Sequence, residues 1–287
     1  GEKSKSPEIK PRRTDIVVSG KLFCGVERKV TMPFDGIVTS LSVQPGQAVK
    51  KGQVLVRFRL KPEAALALHR RVSSFRIRDL EMRLAELKKK LLELEDQEKE
   101  TKELMRHNMA PAKSLEQIQR EMELLSKERD DVRERLPLER ALAEEDRAVV
   151  GKLLGYPVRH GQVPSKGVLM APIKGHVIWV NPALRDGAEF KAHASLMRIG
   201  VMDPILIRAR VHEIEAVQLK VGDEAEFTTE AIPGKRYKAT VTRISWASLT
   251  PQLERPSYYM VELSISNPDF VLREGLRGMV TFRKKNQ

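Results

Sequence analysis

Apolar positions change period along the chain, and the changes mark out its elements. Up to residue 60 they fall in short β-branched runs broken by Gly and Pro. Asp15 to Ser19 and Cys24 to Met32 have strand composition, with Gly20 and Gly25 as breaks, and Ile37-Val38 and Leu41-x-Val43 read as further short strands. From Lys61 the period lengthens. Leu80, Leu84, Leu87, Leu91 and Leu94 are spaced 4-3-4-3 with charges between them, a coiled-coil seam. After a break at His107 to Pro111, the positions Leu115, Ile118, Met122, Leu125, Arg129, Val132 and Leu136 repeat 3-4-3-4-3-4. Two seams joined by a short turn predict an antiparallel helical hairpin, each arm on the order of 60 Å at 1.5 Å per residue. Pro62 fits the first turn of the first arm. The second arm opens either on a Ser114/Gln117 capping box or on Pro111 at its first helical position. Pro137 should bend that arm, because it deletes a hydrogen bond inside the helix. Gly151 to Lys166, with three Gly and two Pro, predicts an irregular descent. Beyond Ile199 the short periods return. A strand at Ile205 to Val211, a short helix at His212 to Leu219 and strands at Glu224–Thr229, Tyr237–Ser245, Tyr258–Ile265 and Arg277–Phe282 predict a small β-barrel.

Two stretches on either side of the hairpin match each other. Met32 to Phe58 and Met170 to Ile199 both run Pro, two residues, Gly, a β-branched run, a second Gly, and nine positions later a Leu-x-Arg-apolar ending. Pro33, Gly36, Gly46 and Leu55-Val56-Arg57-Phe58 correspond to Pro172, Gly175, Gly187 and Leu196-Met197-Arg198-Ile199, with two extra residues between the glycines of the second copy. Gly36 is expected in a turn that needs positive φ.

Composition narrows the function classes. At 287 residues several modules are expected. The net charge of +13 is uneven, since residues 61–150 carry 20 Lys/Arg against 21 Asp/Glu and the remainder 32 against 18. A basic surface fits nucleic acid, anionic lipid or an acidic partner. Nucleic acid is disfavoured because aromatics make up 5% of the chain and no basic helix interleaves with them. The single cysteine, Cys24, excludes an internal disulfide framework, and no apolar h-region precedes it as a lipoprotein signal would require. No run approaches the roughly 20 apolar residues of a membrane span. His69, His107, His160, His176, His193 and His212 show no paired ligand spacing, and no Gly-rich phosphate loop or nucleophile motif is present. His176 is expected to face solvent from a strand, and Asp35-Gly36 and Asp186-Gly187 to be turns. Catalysis, metal and cofactor are therefore not expected.

The split repeat resembles the lipoyl/biotinyl-type barrel-sandwich hybrid, whose two quasi-equivalent halves interlock. Carrier versions join the halves by a tight hairpin presenting a modified lysine. Here the coiled coil occupies that place, and Lys50, Lys51 and Lys174 lie elsewhere, so a prosthetic-group carrier is disfavoured. A lipoyl-like domain interrupted by a helical hairpin and followed by a barrel resembles the HlyD family of periplasmic adaptors, or membrane fusion proteins. Four stretches carry the resemblance: Gly36-Ile-Val-x5-Pro45-Gly46-x2-Val49-Lys-Lys-Gly-Gln-Val-Leu55, Ala171-Pro172-x2-Gly175-x-Val177, Glu213-Ile-Glu-x3-Leu219-x2-Gly222 and Leu272-Arg-x-Gly275-Leu-Arg-x-Met279.

The resemblance implies a mixed α and β, elongated, multidomain fold. Its parts are a leader and strand at 1–30, a lipoyl-like first half at 31–60, the hairpin at 61–151, a connector and second half at 152–200, and a β-barrel at 201–287. It implies a non-catalytic subunit that bridges an inner-membrane transporter to a TolC-like outer-membrane channel for export, working as a hexamer. The family's membrane-proximal domain looks short or missing, and the chain is expected to be periplasmic and held to the inner membrane by an N-terminal segment outside residues 1–287. Many such adaptors carry Arg-x3-Leu-x6-Ser at the hairpin tip. Here Leu104 matches, but Glu100 and Pro111 replace Arg and Ser. Leu104, His107, Asn108, Met109, Ala110 and Pro111 are the candidate channel contacts. A structural coiled-coil scaffold of another envelope complex, such as one for polysaccharide secretion, is the alternative, with a basic nucleic-acid-binding protein behind it.

Overall fold

The computed structural model of the protein describes residues 14–162 and 164–283. The polar leader expected at residues 1–12 lies outside them. The expected fold class is borne out: the chain forms two four-stranded sheets, a long helical hairpin inserted between their halves, and a closed barrel.

The two sheets are built by exchange between the repeat halves. The first half supplies β2 (Glu27–Thr31), β3 (Gly36–Leu41), β4 (Ala48–Val49) and β5 (Val54–Leu60). The second supplies β6 (Lys166–Met170), β7 (Gly175–Val180), β8 (Glu189–Phe190) and β9 (Ser195–Gly200). One sheet has the order β2-β9-β7-β4 and the other β6-β5-β3-β8, so swapping the halves converts each sheet into the other. The turn hydrogen bonds obey the same exchange. Gly46 N–H donates to Val177 O at 2.7 Å and Gly187 N–H to Val38 O at 2.8 Å, while Gly52 N–H donates to Ala171 O at 2.8 Å and His193 N–H to Met32 O at 2.7 Å. Gly46 and Gly187 have φ of +83° and +82°. His193 stands at the position of Gly52, and both are left-handed, at +67° and +82°.

Gly36 departs from expectation. It opens β3 without positive φ, and a Cβ there would lie 2.7 Å from Arg59 O and from Met32 Cε. Its smallness serves close packing instead. Gly175 behaves likewise, since its Cβ would lie 2.5 Å from Gly200 O.

The hairpin differs in two places from a plain pair of arms. Its ascending side is α1 (Pro62–Val72) and α2 (Phe75–Arg106), interrupted at Ser73-Ser74, where Ser73 has an extended backbone. Its returning side, α3 (Ala112–Leu154), runs through Pro137 and beyond Gly151 to a left-handed C-cap at Gly155. At 1.5 Å per residue the 43 residues of α3 span about 65 Å. The capping box is corrected: Pro111 caps α3 from outside and Ser114 lies within the helix. Both seams are buried or half-buried along their length. The roots enter the lipoyl-like core, where Leu68 and Val72 of α1 and Val150 and Leu154 of α3 pack in one cluster with Phe58, Leu169 and their neighbours.

The barrel is β1-β10-β13-β12-β11-β14, all antiparallel. Its C-terminal strands are β10 (Ile205–His212), β11 (Glu224–Thr228), β12 (Tyr237–Ile244), β13 (Tyr258–Ile265) and β14 (Arg277–Phe282). The short helix α4 is Glu213–Ala216. The barrel is thus not confined to 201–287, because β1 (Ile16–Cys24) closes it between β10 and β14. Gly20 lies inside β1 and does not break it; its Cβ would meet Ile207 Cγ2 at 2.6 Å. Conversely, β2 belongs to a lipoyl-like sheet although residues 27–30 were expected outside it.

Candidate functional site

The far end of the hairpin is shaped by backbone chemistry at five residues. Helix α2 stops at His107, and Asn108 takes φ +57°. Asn108 N–H then donates to Met105 O at 3.0 Å and Met109 N–H to Leu104 O at 2.8 Å. This pairing, with a left-handed Asn just past the cap, is the Schellman way of satisfying the last helical carbonyls. Pro111, with φ −79° and ψ 146°, directs the chain into α3, which suits a residue unable to donate from its own nitrogen. The six residues named from sequence therefore share one turn. Leu104 is 39% exposed and Met109 71%, and His107, Asn108 and Pro111 are exposed, while Ala110 is half-buried. The tip presents a soft apolar side chain, Met109, on a backbone whose shape is fixed.

Behind the tip the two arms are tied by polar contacts that set their register. Arg83 places Nε at 2.8 Å and Nη2 at 2.6 Å from Glu128 Oε1, Arg140 reaches Glu81 at 2.6 Å, and Lys90 reaches Glu121 at 3.4 Å. Gln119 donates to Glu98 at 2.9 Å. The Glu128 contacts push the Arg83 guanidinium above its usual range, and hydrogen bonds from Lys102 and Gln119 hold the Glu98 carboxyl below its own. Exposed pairs of this kind add little stability each, so their value is in aligning the seam. At the root, Ser74 is buried and its Oγ lies 2.9 Å from His160 Nδ1, with Arg147 Nη1 at 3.2 Å from the same nitrogen. A guanidinium can only donate, so that nitrogen is the acceptor. The connector thereby staples the break in the ascending arm.

A second polar cluster joins the lipoyl-like sheets to the barrel. Arg198 bridges Glu27 at 3.1 Å and Glu274 at 3.2 Å. Beside it Cys24 Sγ contacts Met202 Sδ at 3.4 Å, and burial followed by the Glu274 carboxylate pushes its thiol up to about 12. His176 does not face solvent freely, since its ring packs 4.3 Å from that of Phe270 on the barrel. Sequence reasoning missed these contacts because their members lie up to 178 positions apart, and the motifs around Arg198, His176 and Glu274 say nothing of which side chain meets which. Asp35 and Asp186 do sit in turns. Asp35 accepts from Ala192 N–H at 2.8 Å, which with Lys191 holds its carboxyl below the usual range, and Asp186 accepts from Leu41 N–H at 2.9 Å. Among the described residues no group of His, Cys, Asp and Glu is placed to hold a metal ion, and no helix is long and apolar enough to cross a membrane.

No family model matches the chain. A UPF0194 membrane protein of Yersinia pseudotuberculosis is 27% identical over 125 residues, covering 41% of this chain and 38% of that protein. The macrolide export protein MacA of Yersinia pestis is 26% identical over 121 residues, covering 41% of this chain and 32% of its own length. The matched stretch thus spans about two fifths or less of these relatives. Among solved structures, MacA from Actinobacillus actinomycetemcomitans superposes with a TM-score of 0.70 at 18% identity, covering 95% of this chain and 79% of that one. A MacA-MexA chimera containing the Pseudomonas aeruginosa MexA α-hairpin domain gives 0.57 at 18%, over 95% and 79%. ZneB from Cupriavidus metallidurans gives 0.53 at 20%, over 95% and 99%. The fold is that of these proteins, and the resemblance to the membrane fusion proteins is borne out.

Proposed function

We propose that the protein is a non-catalytic periplasmic adaptor that bridges an inner-membrane transporter to an outer-membrane channel during export. One observation carries this reading. A helical hairpin whose returning arm spans about 65 Å is rooted in the lipoyl-like core and ends in a hydrogen-bonded turn whose largest apolar side chain is uncovered. Such an arm does positional work: it carries a contact surface away from a folded base. Likeness in fold to MacA and the relationship to a macrolide export protein support the adaptor role.

In this reading Leu104, His107, Asn108, Met109, Ala110 and Pro111 meet a TolC-like channel. Several copies, six in the working assembly, stand side by side so that their arms line a conduit. The departure of Glu100 and Pro111 from the common tip pattern points to a channel with its own matching surface. Periplasmic residence, with attachment to the inner membrane through a preceding segment, completes the proposal. Deleting Leu104 to Ser114 tests it. Export and channel capture should be lost while folding and transporter binding persist; unaltered export would favour the reading as a structural scaffold.

A further inference from the structure

Helix α3 carries a second apolar stripe beside the seam that holds it to α2. Leu138, Leu142 and Val149 follow one another at spacings of 4 and 7, and Leu124 stands two heptads before Leu138. Such steps keep side chains on one helix face. Leu124, Leu138 and Leu142 are each more than half exposed, and Val149 is exposed as well. The stripe runs along the side of the arm crossed by the Arg83–Glu128 and Lys90–Glu121 contacts, because Glu121, Glu128, Leu142 and Val149 share one heptad position. Near the root it continues across a cleft to the exposed ring of Phe75. A straight apolar stripe with coiled-coil spacing fits another long helix.

The charges beside the stripe select which helix. On its side of the arm Asp79, Glu93, Glu100, Asp131 and Glu145 make no ion pair among the described residues, against Arg76, Arg135 and Lys152. The opposite side, crossed by Arg140–Glu81 and Gln119–Glu98, has the reverse balance. There Arg78, Lys88 and Arg133 are without an ion pair among the described residues, against Glu95. Leu92, Ala85 and Pro137 are exposed on that second side and offer apolar surface to receive the stripe. Identical arms in a closed ring stand at equal height, and each presents one side to the neighbour on its left and the other to the neighbour on its right. Asp131 of one arm then lies level with Arg133 of the next to within two residues, about 3 Å along the helix, and Asp79 with Arg78. Stripe-to-stripe pairing would instead bring the two acidic sides together, which like charge disfavours.

We infer that the apolar stripe of one arm packs head to tail against the Arg133 side of the arm in a second copy of this chain. The inference rests on the side-by-side assembly proposed above and names the two surfaces that meet; it is independent of what the hairpin tip binds. Sedimentation equilibrium of the full chain at rising concentration reads the association. Leu138→Glu with Leu142→Glu should weaken it about tenfold or more. Arg133→Glu should weaken it too, and Asp131→Arg added to Arg133→Glu should restore it. These positions are exposed, so the thermal unfolding temperature should not change. Association that survives the two leucine substitutions overturns the inference and leaves the side-by-side assembly standing, since other surfaces would then join the copies. Failure of Asp131→Arg to restore association overturns the head-to-tail order. A chain that stays monomeric at every concentration, and whose Asp131→Cys and Arg133→Cys forms make no disulfide with each other when mixed, overturns both the inference and the assembly.

Discussion

Asn108 holds the tip turn in a backbone region that most side chains avoid. At φ +57° a β-branched residue is strained by about 1–2 kcal/mol, whereas Gly is not. Asn108→Val should therefore loosen the tip and raise amide exchange at Met109, while Asn108→Gly should leave the turn intact. Two other residue-scale features have opposite causes. Gly36 is needed for space, so Gly36→Ala must displace both Met32 and the Arg59 carbonyl and should cost about 1–3 kcal/mol in thermal unfolding. Gly46 has open space around it and is needed for its φ of +83°. Cys24 is held protonated, its value raised from 9.0 to about 12. It should resist alkylation at neutral pH until the chain unfolds. A thiol whose folded value is raised stabilises the fold fully below 9.0, and that contribution is lost as pH rises toward about 12. Alkaline unfolding should accordingly be less steep in Cys24→Ala.

At the scale of elements, the hairpin was legible because its seams are periodic and long. Each apolar stripe reports one helix face, and the buried Leu87, Leu91, Leu94, Val132 and Leu136 all lie on the positions the spacing marks. The repeat was legible for a different reason, since its glycines and Leu-x-Arg endings impose the same backbone twice. What local pattern could not show was partnership. Nothing in Ile16–Cys24 says that this strand closes a barrel whose other strands begin only at Ile205 and end at Phe282. The Ser73-Ser74 break was hidden too, because Ser is acceptable in a helix and the staple comes from His160 on the connector. Of the tip, the residues were legible, while the Schellman geometry that orders them was not. The root staple gives a test at this scale. His160→Ala leaves Ser74 buried without its acceptor and should speed hydrogen exchange around residues 73–76, leaving the middle of α2 protected. Leu87→Ala should instead cost about 2–5 kcal/mol and open the arm itself.

Across the whole molecule, the same chain places an apolar turn at the end of a long arm and leaves Trp246 and Leu253 exposed in the β12–β13 loop of the barrel. Between them, the lipoyl-like core holds the roots of the arm, and Arg198 ties that core to the barrel through Glu274. The proposed adaptor role asks for this order of parts, a reaching end on a braced base. The most direct measurement is site-specific photo-crosslinking in intact cells, from position 109 and, in parallel, from position 246. Position 109 should join to an outer-membrane channel and position 246 should not, joining instead to inner-membrane components. Crosslinks from position 246 to the channel, or from position 109 only to inner-membrane components, would contradict the adaptor role.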